Sequence, residues 1–264
     1  MKVHRVLAPN PGLFTGAGTN CWVVQSAGRA AVIDPGPAVP THIDRILELV
    51  EDLEPVGVLV SHTHPDHAPA ANEVARRMGV PAYGHAPGPG FAPDILVNDG
   101  DRIAIGAVSA TVITTPGHTP DHVCYRIEDV IFSGDHVIGG STVVIEDLQG
   151  YLDSLARLQG TGLEVIYPGH GEPLTEPDAV LSAYIDHRLM RERQIVRALE
   201  QGAATVGDIV DRVYSDIDRA LHLAAAQSVG AHLRKLADDG IVVVPDHAIE
   251  WASSVKLQRR TGQR

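Results

Sequence analysis

VGVLVSHTHPDHAPAANEVARRMGV (residues 56–80) runs from an apolar, strand-like stretch straight into three histidines and an aspartate within six positions. His62 and His64 stand two residues apart on extended backbone, so their side chains leave the chain on the same side. Asp66 and His67 follow at the entrance to a helix read over 68–78. A strand end is rigid and a turn is tight, so four nitrogen and oxygen donors can be aimed into one small volume. Imidazole and carboxylate without thiolate suit zinc, and also iron, manganese or cobalt. An exposed turn can carry polar residues with no task. Histidine is too scarce for three of 14 to gather here on that account.

Three further turns that close apolar strands each hold one candidate donor. TTPGHTPDH (114–122) offers His118, IFSGDHV (131–137) offers Asp135 and VIYPGHGEP (165–173) offers His170. Glycine beside each donor lets the backbone approach closely. Any one of these alone reads as an ordinary turn residue. Together with the first cluster they supply seven donors, three or four per ion for two ions.

The first 170 residues alternate short strands with helices. Strands are read at NCWVV (20–24), RAAVID (29–34), GVLVSH (57–62), VSATVIT (108–114), HVCYRI (122–127), DVIFSG (129–134) and EVIYPG (164–169). Helices are read at 41–53, 68–78 and 146–159, the first with Ile43, Ile46, Leu47 and Val50 on one side. Several strands adjoin as hairpins, which favours mixed sheets stacked face to face under helices over a doubly wound parallel sheet. Past residue 176 the texture turns helical: a long helix with a break near Asp186, helices over 206–216 and 219–240, then IVVV and an extended segment ending near Trp251. That outline is a winged helix. The division expected is a catalytic domain over 1–184 and a winged-helix domain over 185–264.

The chain has 264 residues and a net charge of −12. Residues 185–250 hold eight Lys and Arg against eleven Asp and Glu, so duplex DNA is not the expected partner, and packing or a homodimer is the better use of the winged helix. A metal pair would add positive charge locally and keep a phosphate substrate open. No apolar run is long enough to span a membrane, and MKVHRVLAPNPG lacks the apolar stretch of a signal peptide. A cytoplasmic location is expected. Cys21 and Cys124 read as buried thiols.

HTHPDH, His118, the aspartate of SGD and PGHG resemble the metallo-β-lactamase superfamily, in order over residues 20–171. The resemblance implies a four-layer αββα sandwich with a metal pair at one edge of the two sheets. Carried over by motif, His62, His64 and His118 would hold one ion, Asp66, His67 and His170 the other, and Asp135 would bridge. It implies a dinuclear-zinc hydrolase, two Zn2+ per chain with iron or manganese as alternatives, attacking an ester, thioester or phosphodiester with a metal-bridging hydroxide. Asp66 would orient that hydroxide and pass on a proton.

An aspartate rather than Cys or Ser at 135 resembles glyoxalase II and the metal-dependent nucleases more than the zinc β-lactamases. The lactamase-beta-2-like branch is the nearest, through NPGLFTGAGTNCWVV, SGDHVIGGSTVVIEDLQGYLDSL and DHRLMRERQIVRALE. Substrates in view are therefore a small ester or thioester, single-stranded RNA as in a branch endoribonuclease, a persulfide if the chain is a mononuclear-iron dioxygenase, or last a β-lactam. GAG before Thr19 and His136 after SGD depart from the branch pattern and bear on the pocket rim. Ser141 or Thr142 would offer an anion site near a helix start, and Thr15, Asn20 and the LFTGAGTN loop (13–20) would form the pocket wall. His122 and His136 are read as supports of the ligands, His85 as structural, and His4, His42, His187, His222, His232 and His247 as surface or packing residues. Asp34 reads as a turn residue, with support of the site as the alternative.

Overall fold

The computed structural model describes residues 1–140, 142–245 and 249–258. One sheet carries β1 (Lys2–Leu7), β2 (Asn20–Ser26), β3 (Arg29–Ile33), β4 (Glu54–Leu59), β5 (Ala82–Gly84) and β6 (Ile95–Leu96) in sequence order. The second carries β7 (Arg102–Ile105), β8 (Val108–Thr114), β9 (Val123–Ile127), β10 (Val130–Gly134), β11 (Val165–Pro168) and β12 (Leu174–Thr175), also in consecutive order. In the first sheet β1, β2 and β3 are antiparallel and β3 to β6 parallel. In the second only β10 and β11 are parallel.

Alternation along the strands sorts the apolar side chains into layers. On β2, Trp22 and Val24 join the core between the sheets, whereas Cys21 and Val23 face outward onto helices α1 (Pro40–Val50) and α2 (Ala71–Met78). On β9 and β10, Val123, Tyr125, Ile127, Val130 and Phe132 fill the same inter-sheet core. Cys124 and Ile131 face the other way, onto α3 (Leu148–Leu158) and the start of α4 (Pro177–Glu200). Strands buried on both faces read as continuous apolar runs, as these do. The result is the αββα sandwich the sequence led us to expect. Both cysteines are buried and free, and burial pushes the Cys124 thiol up to about 12.

α4 crosses the expected boundary at 184/185 without interruption, so the break anticipated near Asp186 is absent. No Gly or Pro follows Pro177 within it, and Asp186 simply faces solvent. Leu181 and Tyr184 at its start pack with α3, whereas Ile195, Ala198 and Leu199 belong to a separate core. That second core is shared with α5 (Val206–Val213) and α6 (His222–Asp238), closed by the small ribbon β13 (Val242–Val243) with β14 (Lys256–Leu257). Thr205 caps α5 in a reciprocal box with Asp208. Among the described residues no helix is long and apolar enough to cross a membrane.

Candidate metal centre

β8, β10 and β11 point the same way in the second sheet, so the turns that follow them lie at one edge. β4 of the first sheet ends at the same edge: Val123 N donates to Ser61 O (2.8 Å) and Asn20 N to Gly169 O (2.7 Å). The four turns therefore converge, and the seven candidate residues meet. His62, His64, His118 and Asp135 form one group, and Asp66, His67 and His170 another, each with its donor atoms within 4.8 Å of one another.

The spacings fit a cation. Donors bonded to zinc at about 2.0–2.1 Å with tetrahedral angles stand about 3.3 Å apart. His118 Nε2 lies 3.1 Å from His64 Nδ1, and His67 Nε2 lies 3.3 Å from His170 Nε2. Asp66 Oδ2 is 3.2 Å from His170 Nε2 and 3.4 Å from His67 Nε2. Asp135 divides its carboxylate between the groups. Its Oδ1 is 3.3 and 3.4 Å from His67 and His170, and its Oδ2 is 3.8 Å from His118.

The outward nitrogens fix which lone pairs face inward. Asp34 accepts from Ser61 N (2.7 Å), Ser61 Oγ (2.7 Å) and His67 Nδ1 (3.1 Å). Because Ser61 Oγ gives its proton to Asp34, it accepts from His62 Nδ1 (3.0 Å). His118 Nδ1 donates to Val144 O (2.6 Å) and His170 Nδ1 to Gly18 O (3.3 Å). Four imidazoles are thus set with Nε2 as the inward acceptor. His62 Nε2 is buried and has no hydrogen-bond partner. Lone pairs and carboxylates face one another with too few donors among them, an arrangement that a cation resolves.

In the metal-free chain, protons take that place. Burial alone would lower His170, but hydrogen bonds to Asp135 and Asp66 outweigh it and raise it to about 9. Burial likewise opposes charging His67, yet the charges of Asp135 and Asp66 hold it well above the ordinary histidine value. His62 is held well below that value by burial and then by the neighbouring His67, His122 and His118. Burial raises and the histidines lower Asp66 and Asp135, with the histidines prevailing in both.

Glycine is required at two points. Gly134 adopts φ +47° where a Cβ would run into the Ser61 side chain. A Cβ on Gly169 would come within 2.6 Å of both Asp135 Oδ1 and His67 Cε1.

Around the ligands the expectations divide. Asp34 is buried with φ +49° and supports the site rather than only turning the chain. His122 accepts from Asp135 N (3.2 Å) through Nε2 and contacts Thr115 Oγ1 (2.8 Å) through Nδ1, so it does support the bridging position. His136 is fully buried against Tyr151 with neither ring nitrogen bonded, so it packs instead of supporting. Asn20 is wholly buried and ties the PGHG turn through Pro168 O (3.0 Å) and Gly171 O (2.8 Å). Thr15 bonds within its own loop, to Asn10 O. Asn20 therefore supports the turn from within rather than lining the site as anticipated. Ser141 and His247 lie outside the described residues. Thr19, whose Oγ1 donates to Asp66 Oδ2 (3.0 Å), and Ser61 were missed. A small hydroxyl residue directly before the histidine motif was the available signal for Ser61.

Comparison with known proteins agrees with this architecture. A family described as Metallo-beta-lactamase superfamily matches residues 14–170, and one described as Beta-lactamase associated winged helix domain matches 205–251. The chain is 32% identical to a Beta-lactamase-like protein 2 homolog of Caenorhabditis elegans, over 92% of this chain and 86% of that protein. It is 34% identical to an atrochrysone carboxyl ACP thioesterase of Aspergillus chevalieri, over 90% and 82%. A metallo-beta-lactamase family protein from Thermus thermophilus superposes with a TM-score of 0.79 at 18% identity, over 97% and 98% of the two chains, which bears on the fold alone. With this fold, this arrangement of donors and these matches, the chain belongs to the metallo-beta-lactamase superfamily and is a metal-dependent hydrolase carrying a C-terminal winged helix.

Proposed function

We propose that the chain is a dinuclear hydrolase of acyl thioesters, with His62, His64 and His118 holding one ion, Asp66, His67 and His170 the other, and Asp135 shared. Zinc is the metal best suited to the donors, with iron or manganese as alternatives. The single observation behind this is the inward set of imidazole lone pairs and carboxylates, in which the rings of His62, His67, His118 and His170 are each aimed by an outward hydrogen bond. When bound, two divalent ions supply Lewis acidity toward an acyl oxygen and make water a competent nucleophile near neutral pH. The protein's part is positional. Thr19 holds the Asp66 oxygen that faces His67 and His170, which leaves that carboxylate as the group to orient a water and take its proton. Residues 1–184 form the hydrolytic unit in this reading and 185–264 the winged-helix unit.

The thioester preference is supported by the thioesterase-named relative and by the rim. Gly12 and Gly16 exchange backbone hydrogen bonds (3.1 and 2.9 Å) to form a tip that exposes Leu13 and Phe14, and the same loop ends at Gly18 and Thr19 beside the site. An apolar tip on the loop that reaches the donors through Gly18 and Thr19 favours an apolar acyl chain over a polyanion, in keeping with the net charge of −12.

The test combines metal analysis with a panel of three substrates: an acyl-N-acetylcysteamine thioester, labelled single-stranded RNA and a chromogenic cephalosporin. Two metals per chain and turnover of the thioester, abolished in Asp66→Ala, are expected. Cleavage of RNA with an inert thioester would move the assignment to a nuclease. A single tightly held iron with oxygen uptake on a persulfide would end the hydrolase reading.

A further inference from the structure

We infer that the winged-helix unit is a structural part of the metal centre, with Arg188 the positioning residue for His118; this rests on the metal reading above. His118 is aimed by the carbonyl of Val144 (2.6 Å). The preceding carbonyl, of Val143, accepts from Arg188 Nη2 (2.6 Å) on α4. The next residue, Ile145, donates its N–H to Ser228 Oγ (3.4 Å) on α6, and Glu146 O accepts from Arg234 Nη2 (3.0 Å) on the same helix. Three of the four residues 143–146 are therefore gripped by α4 and α6, and the fourth aims the histidine.

Arg188 is itself held in place. Its guanidinium carbon lies 5.1 Å from the centroid of the Tyr151 ring, and Tyr151 Oη donates to His136 O (2.7 Å), one residue past Asp135. The side chain is only 2% exposed. If this position served packing alone, an apolar residue of similar volume would stabilise the fold as well or better. What the guanidinium adds is direction, a fixed planar donor toward one carbonyl and one ring.

The use made of α6 agrees. In a helix-turn-helix, α6 is the helix that enters the major groove. Here Ala225, Ser228, Val229, Ala231, His232, Leu233 and Leu236 on it are buried, and Ala231 packs in the same core as Tyr151 and Leu155. The helix that would read a duplex is committed to the loop behind His118.

The experiment measures zinc affinity by chelator competition for the wild type, R188M, R188K, R234A, H118A and the R188M/H118A pair, with melting of each metal-free protein alongside. R188M should weaken one of two binding steps about 10- to 100-fold, the same step that H118A removes, and should cost nothing further in the H118A background. Such non-additivity separates positioning from general destabilisation. R188K, which keeps a donor for Val143 O but loses the planar contact with the Tyr151 ring, should recover part of the loss. R234A should weaken the same step by less, and decides the matter if R188M fails to fold. Unchanged affinity in both variants, or equal weakening of both steps that persists without His118, overturns the inference. A wild type that binds no metal overturns the metal reading and this inference with it, whereas two ions in the wild type with R188M and R234A both unaffected sink this inference alone.

Discussion

Asp34→Asn changes one atom and should disable a ligand in each group of donors. The carboxylate accepts three hydrogen bonds, from Ser61 N, Ser61 Oγ and His67 Nδ1. An amide cannot do this, because one of its two ends is a donor. If the NH2 replaces Oδ2, it faces His67 and Ser61 Oγ. His67 must then accept at Nδ1 and carry its proton on Nε2, toward the metal. Ser61 Oγ, now accepting from the amide, turns its proton to His62 Nδ1 and shifts that ring's proton inward as well. If the amide flips, the NH2 meets the Ser61 N–H, where the present acceptor is 2.7 Å away. Asn tolerates the φ of +49° at this position, so backbone strain does not confuse the result. Loss of an outer partner of a metal-ligating histidine costs about 10- to 100-fold in affinity. That is about 1.4–2.8 kcal/mol, in line with the roughly 1.5–3 kcal/mol of a hydrogen bond to a charged group. His62 and His67 belong to different groups, so both steps of a zinc-chelator competition should weaken. Two steps within twofold of the wild type would refute the tautomer argument.

Metal binding at pH 7 should release about two protons per chain, from His67 and His170, measured by calorimetry in two buffers of different ionisation enthalpy. Because the pKa of His170 is raised to about 9, its proton stabilises the metal-free fold fully below pH ~6.5. That contribution fades as pH rises through 9, while zinc affinity climbs over the same window. Gly169→Ala should displace Asp135 and His67, lower bound metal at least about tenfold and cost about 1–3 kcal/mol in chemical denaturation through overpacking. Thr205→Ala removes the cap of α5 and should lower stability by about 1 kcal/mol with metal content unchanged, read by denaturation and metal analysis.

Strands with strong local patterns were legible: VSATVIT coincides with β8, and β2, β3, β9, β10 and β11 fall within two residues of their expected ends. β4 begins at Glu54 and ends at Leu59, ahead of the histidines, since the ligand turn needs backbone free of the ladder. β1, β5, β6, β7 and β12 were not read. KVHRVL is half exposed at a sheet edge and lacks clean alternation, and β5, β6 and β12 have only two or three residues. The seven donors were legible because histidines and aspartates beside strand-end glycines stand out in one dimension. Their partners were not. Val144 O and Gly18 O are backbone carbonyls that leave no mark in sequence, and Thr19 meets Asp66 across 47 residues. Asp34 reads first as a turn residue, with support of the site only as the alternative, because its bond to His67 spans 33 positions.

Aiming and recognition fall to different parts of the chain, and this separation has a consequence for how substrate range can change. The groups that aim the ligands (Asp34, Ser61, His122, and the carbonyl of Val144) are buried or lie in segments tied to several elements at once. A substitution there disturbs packing as well as the donors, so it is costly in stability. Leu13 and Phe14 sit on a tip whose own backbone bonds close between Gly12 and Gly16, so their side chains can change while those bonds remain. Among the described residues, the Thr19 side chain and the Gly18 carbonyl bond that loop to Asp66 and His170. Replacing Leu13 and Phe14 with polar residues should therefore shift KM for an apolar acyl thioester while leaving zinc affinity untouched. The two measurements together show whether the rim selects the substrate or merely shelters the metal.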